Sequence, residues 1–131
     1  MAHTIVIADD EAHITHVVSL KVSNAGHEPI VAHDGEEALE LCLKHRPSLV
    51  ITDLQMPYMT GLELAQKLKE DERTRDTPVL MLTARGYSLD RHELEQTNIK
   101  QVMSKPFSPR EVMQIVSDLL DGADSEDRAA A

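Results

Sequence analysis

The stretch Val50-Ile51-Thr52-Asp53-Leu54-Gln55-Met56-Pro57 decides the fold. Together with Leu49 it opens on apolar, β-branched residues in a run too short for a helix, which reads as a buried strand. The strand stops at a single carboxylate, Asp53. Pro57 and Gly61 mark a turn. A helical pattern follows, with Thr60 as cap, Glu63 at the reciprocal capping-box position, and Leu62, Ala65 and Leu68 as its apolar stripe. Open α/β sheets place their chemistry at the carboxyl ends of buried parallel strands. The remaining polar residues can therefore be tested for convergence on Asp53.

Upstream, Thr4-Ile5-Val6-Ile7-Ala8 reads as a first strand ending in Asp9-Asp10-Glu11. The helix after it sets Ile14, Val17, Val18, Val22 and Ala25 on one side, with Lys21 interrupting the stripe and Gly26 as a stop. Pro29-Ile30-Val31-Ala32 is a weaker strand, suited by its proline to a sheet edge. Asp34 caps the next helix, with Glu37 in the capping-box position, and Ala38, Leu41, Cys42 and His45 carry it towards Pro47. Downstream, Pro78 to Thr83 is a fourth, nearly continuous apolar strand, and Ala84 to Ser88 is a loop around Gly86. Leu89 to Thr97 is a polar, weakly amphipathic helix, and Ile99 to Ser104 a fifth strand. Ser108 as cap and Pro109 at the first helical position start a last helix with Val112, Ile115, Val116, Leu119 and Leu120 as its stripe. Residues 1–122 then form one domain, and 123–131 a disordered C-terminal tail.

Strand and helix alternate throughout, and several strands are apolar on both faces, as a parallel sheet covered on both sides requires. Right-handed crossovers give a doubly wound α/β sandwich with all carboxyl ends on one rim. The bulk numbers agree with a single domain: 131 residues, one cysteine and 2% aromatics imply an aliphatic, methionine-filled core. Lys+Arg 13 against Asp+Glu 23 gives a net charge of -10, which argues against nucleic acid as a direct ligand and suits a cationic ligand or basic partner. Cys42 lies in a helical apolar pattern and reads as a buried, inert thiol in a reducing, cytoplasmic setting. No apolar run approaches ~18 residues and no cationic-then-apolar leader opens the chain, so no membrane span is expected.

Strand one ends at Asp9 and Asp10, strand three at Asp53 and strand four at Thr83, while strand five leads into Lys105. Carboxylates ~5 Å apart repel by roughly 3 kcal/mol per pair at an effective dielectric of ~20. Such a cluster invites a hard divalent cation, and magnesium suits oxygen ligands and phosphate. A cation with Lys105 offsets the charge of a phosphoryl group, Thr83 donates a hydrogen bond to it, and Asp53 is placed as nucleophile for in-line attack. The plainer alternative is a solvated acidic rim with a structural lysine.

In these residues the chain resembles the receiver domain of two-component response regulators. The motifs are Asp9-Asp10, Asp53-Leu54-Gln55-Met56-Pro57, Thr60-Gly61, Thr83-Ala84 and Lys105-Pro106-Phe107, covering Ile5 to about Leu120. The resemblance implies a CheY-like, flavodoxin-like (βα)5 fold with strand order 2-1-3-4-5. It implies that Asp53 accepts phosphate from a sensor histidine kinase or histidine phosphotransfer protein. By match, Asp9, Asp10, Asp53 and the backbone carbonyl of Gln55 hold Mg2+, with Mn2+ as a substitute. Thr83 and Lys105 bind the phosphoryl group, and Lys105-Pro106 is a cis peptide. Self-catalysed transfer and autodephosphorylation would be the only enzyme-like activity. The resemblance also leaves room for a monomer or a phosphorylation-dependent dimer.

One position departs from the family's pattern. Three residues before the lysine, where receivers carry a ring, this chain has Val102. Tyr87, beside Gly86, is the candidate replacement for the mobile aromatic, against an exposed loop tyrosine. Arg85 and Gln55 flank the expected phosphoryl position and are candidates for modulating its hydrolysis. The expected function is that of a stand-alone response regulator acting on an unknown effector protein. A phosphate sink or relay intermediate, a phosphoesterase on the same sheet, and a receiver cut from a DNA-binding regulator are the alternatives.

Overall fold

β3 (Leu49–Asp53) is buried along its whole length, as its apolar sequence requires, and takes the centre of a five-stranded parallel sheet. The computed structural model describes residues 2–84 and 89–130, with side chains as far as 122. The elements alternate as expected: β1 (Thr4–Ala8), α1 (Ala12–Asn24), β2 (Glu28–Ala32), α2 (Gly35–His45), β3, α3 (Gly61–Glu70), β4 (Val79–Thr83), α4 (Arg91–Glu95), β5 (Ile99–Ser104) and α5 (Pro109–Ala130). The strand order is β2-β1-β3-β4-β5, so the proline-bearing β2 lies at an edge, where a missing N–H costs least. Along β1 and β3, side chains alternate between the two faces. Val6, Val50, Leu64, Leu68 and Met81 pack together on one face. On the other, Ile5, Ile7, Leu49 and Ile51 meet Val18 and Val22 of α1 and Val112, Val116 and Leu120 of α5. Each such fully buried aliphatic side chain contributes about 2 kcal/mol.

The helix starts follow their caps with one variation. Thr60 and Glu63 close a full capping box on α3. Asp34 caps α2 by accepting from the Glu37 amide, but the Glu37 carboxylate reaches one residue further back and accepts from the His33 amide at 2.8 Å. Two glycines fix how closely the elements approach. A Cβ on Gly61 would overlap the Asp53 carbonyl, and one on Gly35 would overlap the Met59 carbonyl. The start of α2, the loop after β3 and the start of α3 are thus pressed together.

Two expectations are corrected. In α1 the buried residues are Thr15, Val18 and Val22, while Val17 and Leu20 face outward, 37% and 52% exposed. Thr15 shares one helical stripe with Val18 and Val22, and its hydroxyl is satisfied there by donating to the Ala12 carbonyl at 2.9 Å. α4 is only Arg91–Glu95, shorter than the span 89–97, because Asp90 caps it by accepting from the His92 and Glu93 amides. At its other end the Thr97 hydroxyl donates to the Leu94 carbonyl. α5 does not stop at Gly122 but continues as helix to Ala130. One glycine costs a helix about 1 kcal/mol relative to alanine, and the residues after it contain no proline and include good helix formers.

Candidate functional site

The loops leaving β1, β3, β4 and β5 meet at the carboxyl rim of the sheet. Asp9 and Asp53 are buried there, and Asp10 beside them is exposed. One carboxylate oxygen from each of the three lies within 4.8 Å of the others. Two turns hold the buried pair in place. Oδ1 of Asp9 accepts from the Glu11 amide at 2.9 Å, and Oδ1 of Asp53 accepts from the amide of Leu54 at 2.9 Å. The Leu54 residue is buried and the Thr52 hydroxyl donates to the Asp53 carbonyl at 2.9 Å, which fixes the strand end from behind.

Lys105 arrives from β5, 96 positions from Asp9. Its Nζ lies 3.0 Å from Asp9 Oδ2, 3.3 Å from Glu11 Oε1 and 3.4 Å from Asp53 Oδ1. The Lys105 amide donates to the Thr83 carbonyl at 2.8 Å, tying the ends of β4 and β5 together, and Lys105-Pro106 is cis as the resemblance implied. Thr83 is fully buried, and its hydroxyl donates to the Ala84 carbonyl at 3.2 Å. Ala84, Lys105, Pro106 and Phe107 line an open depression with Glu11, His13 and Ile14.

The sequence matches the model of the response regulator receiver domain over residues 5–117. The chain belongs to that family. Receiver domains are the regulatory, phosphoryl-accepting modules of two-component signalling. This receiver is 36% identical to the phosphate regulon transcriptional regulatory protein PhoB of Pseudomonas aeruginosa over 110 residues, 84% of this chain and 48% of that protein. It is 37% identical to response regulator Rre1 of a Synechocystis species over 118 residues, 89% of this chain and 51% of that one. The chain thus spans about half the length of the curated relatives it matches. Among solved structures it superposes on the chemotaxis response regulator CheY4 of Vibrio cholerae with a TM-score of 0.83 at 29% identity, covering 91% of this chain and 99% of that one. The (βα)5 sandwich and its strand order are those of that fold. No helix among the described residues is long and apolar enough to cross a membrane.

Electrostatics in the receiver's rim follow from burial. Burial raises the Asp53 carboxyl above its ordinary value, and the Asp9 charge raises it further against the opposing pull of Lys105. Asp9 is likewise raised, chiefly by burial, with the Glu11 amide and Lys105 working against it. At Lys105 burial pulls the other way, but the Asp9 hydrogen bond and the charges of Asp9, Asp53 and Glu11 leave its ammonium raised. The pocket therefore holds more negative charge than it can comfortably keep. Three carboxylates on hard oxygen fit the Mg2+ that receiver domains bind at an acidic pocket.

The structure brings together Asp9, Asp10, Asp53 and Lys105, with Thr83 at the neighbouring strand end. Gln55 is exposed two residues after Asp53. Val102 is a half-buried strand residue packed against the core, two methyls where a ring would otherwise sit. Arg85 and Tyr87 lie outside the described residues. Sequence reasoning gave no role to Glu11, whose carboxylate is a third partner of Lys105 and lies 3.7 Å from the His13 ring. Its place two residues after Asp9, at the turn that aims Asp9, was the available signal. Cys42 is buried in the core and its thiol is pushed up to about 12 by burial, which fits an inert residue.

Proposed function

We propose that Asp53 is the phosphoacceptor and that the chain works as a switch read through its partners. The observation that carries this reading is the Lys105 ammonium, set within 3.4 Å of both buried carboxylates at strand ends remote in sequence. An oxygen of Asp53 attacks the phosphorus of a phosphohistidine on a sensor kinase or phosphotransfer protein. The O–P bond forms as the N–P bond breaks, and the electron pair leaves with the imidazole, which takes up a proton. Lys105 is placed to pair with the phosphoryl oxygens, and the Thr83 hydroxyl, once released from the Ala84 carbonyl, to donate to one of them. Asp9, Asp10, Asp53 and the Gln55 carbonyl would hold Mg2+, with Mn2+ as a substitute, which neutralises phosphoryl charge when bound. Reversal by water returns the Asp53 carboxylate and inorganic phosphate.

The phosphoryl group then favours one of two conformations, and an effector protein that prefers that state reads it. Acetyl-phosphate labelling with and without Mg2+ tests the chemistry. A metal-dependent label that is acid-stable and base-labile, and absent in Asp53→Asn, supports it; a label that persists in the variant refutes it. For the output, beryllofluoride-loaded protein should capture an effector that the magnesium-only form does not. Equal capture by both forms would favour the phosphate-sink reading.

A further inference from the structure

We infer that Glu11 is a positioning residue that sets the resting place of Lys105 and so opposes phosphorylation. The inference rests on the phosphoacceptor reading of Asp53. Three carboxylates surround the Lys105 ammonium, and they are not equivalent. Asp9 and Asp53 belong to the group of oxygens able to hold a cation; Glu11 does not. Their side chains are 1% and 7% exposed, against 49% for Glu11. Glu11 Oε1 lies as close to Nζ as Asp53 Oδ1 does, at 3.3 Å and 3.4 Å. A cation drawing on Asp9 and Asp53 would leave Glu11 as the carboxylate still free to hold the lysine.

The turn brings the two contacts together. The Glu11 amide donates to Asp9 Oδ1, so the residue that aims Asp9 also presents its own side chain to Lys105. The His13 ring lies 3.7 Å from the second oxygen, Oε2, and leaves Oε1 for the lysine. A phosphoryl group on Asp53 competes with Glu11 for the same ammonium, which lies 3.3 Å from Glu11 Oε1 and 3.4 Å from Asp53 Oδ1. Any shift of the lysine towards the phosphoryl group weakens the Glu11 contact, which is worth the small amount typical of a partly exposed ion pair. Glu11 therefore shifts the balance towards the unphosphorylated state without touching the reacting atoms.

The test is a double-mutant cycle read by the dissociation constant of beryllofluoride in saturating Mg2+, measured by fluorine NMR. Glu11→Gln should tighten binding about threefold, the scale of one such ion pair, and raise the initial rate of acetyl-phosphate labelling by a similar factor. In a Lys105→Gln background the same change should have no effect. A gain that persists without the lysine would show that Glu11 acts only through its general field on the anion, and would overturn the inference. No gain in either background would overturn it as well. Magnesium affinity, titrated without beryllofluoride, should change by less than beryllofluoride affinity; an equal or larger change would make Glu11 part of the cation site instead. Failure of wild-type protein to take label at Asp53 would instead sink the underlying reading, and this inference with it.

Discussion

The two halves of the sheet are held with different firmness. In β3 every residue is buried, and the strand end is locked by the Leu54 amide, the Thr52 hydroxyl and the close approach of Gly61. In β5 only Ile99 is buried, the register against β4 slips between Val79 and Leu80, and the helix before it has five residues. The contrast separates two tasks. Asp53 sits where the backbone cannot yield, as a nucleophile that must be aimed requires. Lys105 follows β5, the more exposed strand, where movement costs less and a binding event can be turned into a change of surface.

The largest expected effect is on chemistry: Asp53→Asn should abolish labelling while leaving the fold intact by circular dichroism. Next come two changes in the firm half. Ile51→Ala should lower the free energy of unfolding by about 3 kcal/mol in urea melts, through lost burial and the cavity left behind. Gly61→Ala should cost about 2 kcal/mol and weaken magnesium binding, because the loop must shift off the Asp53 carbonyl. If either proves neutral, the firm half is softer than its burial implies.

The pH response has a definite sign. Asp9 and Asp53 are raised above 3.8, so the folded state takes up protons that the unfolded chain does not. Their contribution is present at low pH and is lost as pH rises through their folded values. The thermal midpoint of metal-free protein should therefore climb as pH falls from neutral towards the raised carboxylate range, and by less in Asp53→Asn. Asp71 works oppositely. Its pairing with Arg73 lowers it to about 2, so its contribution is present above 3.8 and fades below that. A profile that stays flat as pH falls from neutrality in EDTA would contradict the charge excess at the rim. The smallest expected effect is in the loose half: Val102→Ala should cost less than about 1 kcal/mol and leave the labelling rate unchanged. A loss as large as that at Ile51 would erase the distinction between the two halves.

The same contrast explains what could be read in advance. Continuous apolar strands such as Leu49–Asp53 and Val79–Thr83, and caps such as Asp34 and Thr60, are dictated by local chemistry and were legible in the sequence. The family motifs led to the gathering of Asp9, Asp10, Asp53 and Lys105 for the same reason, since each lies just at or beyond a strand end. What escaped depended on the reach of a side chain or on weak signals. The Glu37 bond to His33 and the Glu11 contact with Lys105 depend on where a long side chain ends, which the sequence pattern does not specify. Thr15 lies inward in place of Val17 as a polar residue on the Val18 and Val22 stripe, its hydroxyl satisfied by the helix backbone, which a count of apolar residues does not register. The continuation of α5 past Gly122 turns on propensities of a fraction of a kcal/mol per residue.

Tyr58 lies in the loop between β3 and α3 on left-handed backbone, with φ of 69°, and is 80% exposed. The chain has no tryptophan and only two tyrosines. Five positions from Asp53, this phenol is a native optical reporter of the loop, and in a Tyr87→Phe background its ultraviolet emission would be the protein's sole tyrosine signal. Any movement of that loop could then be followed in real time with no dye attached.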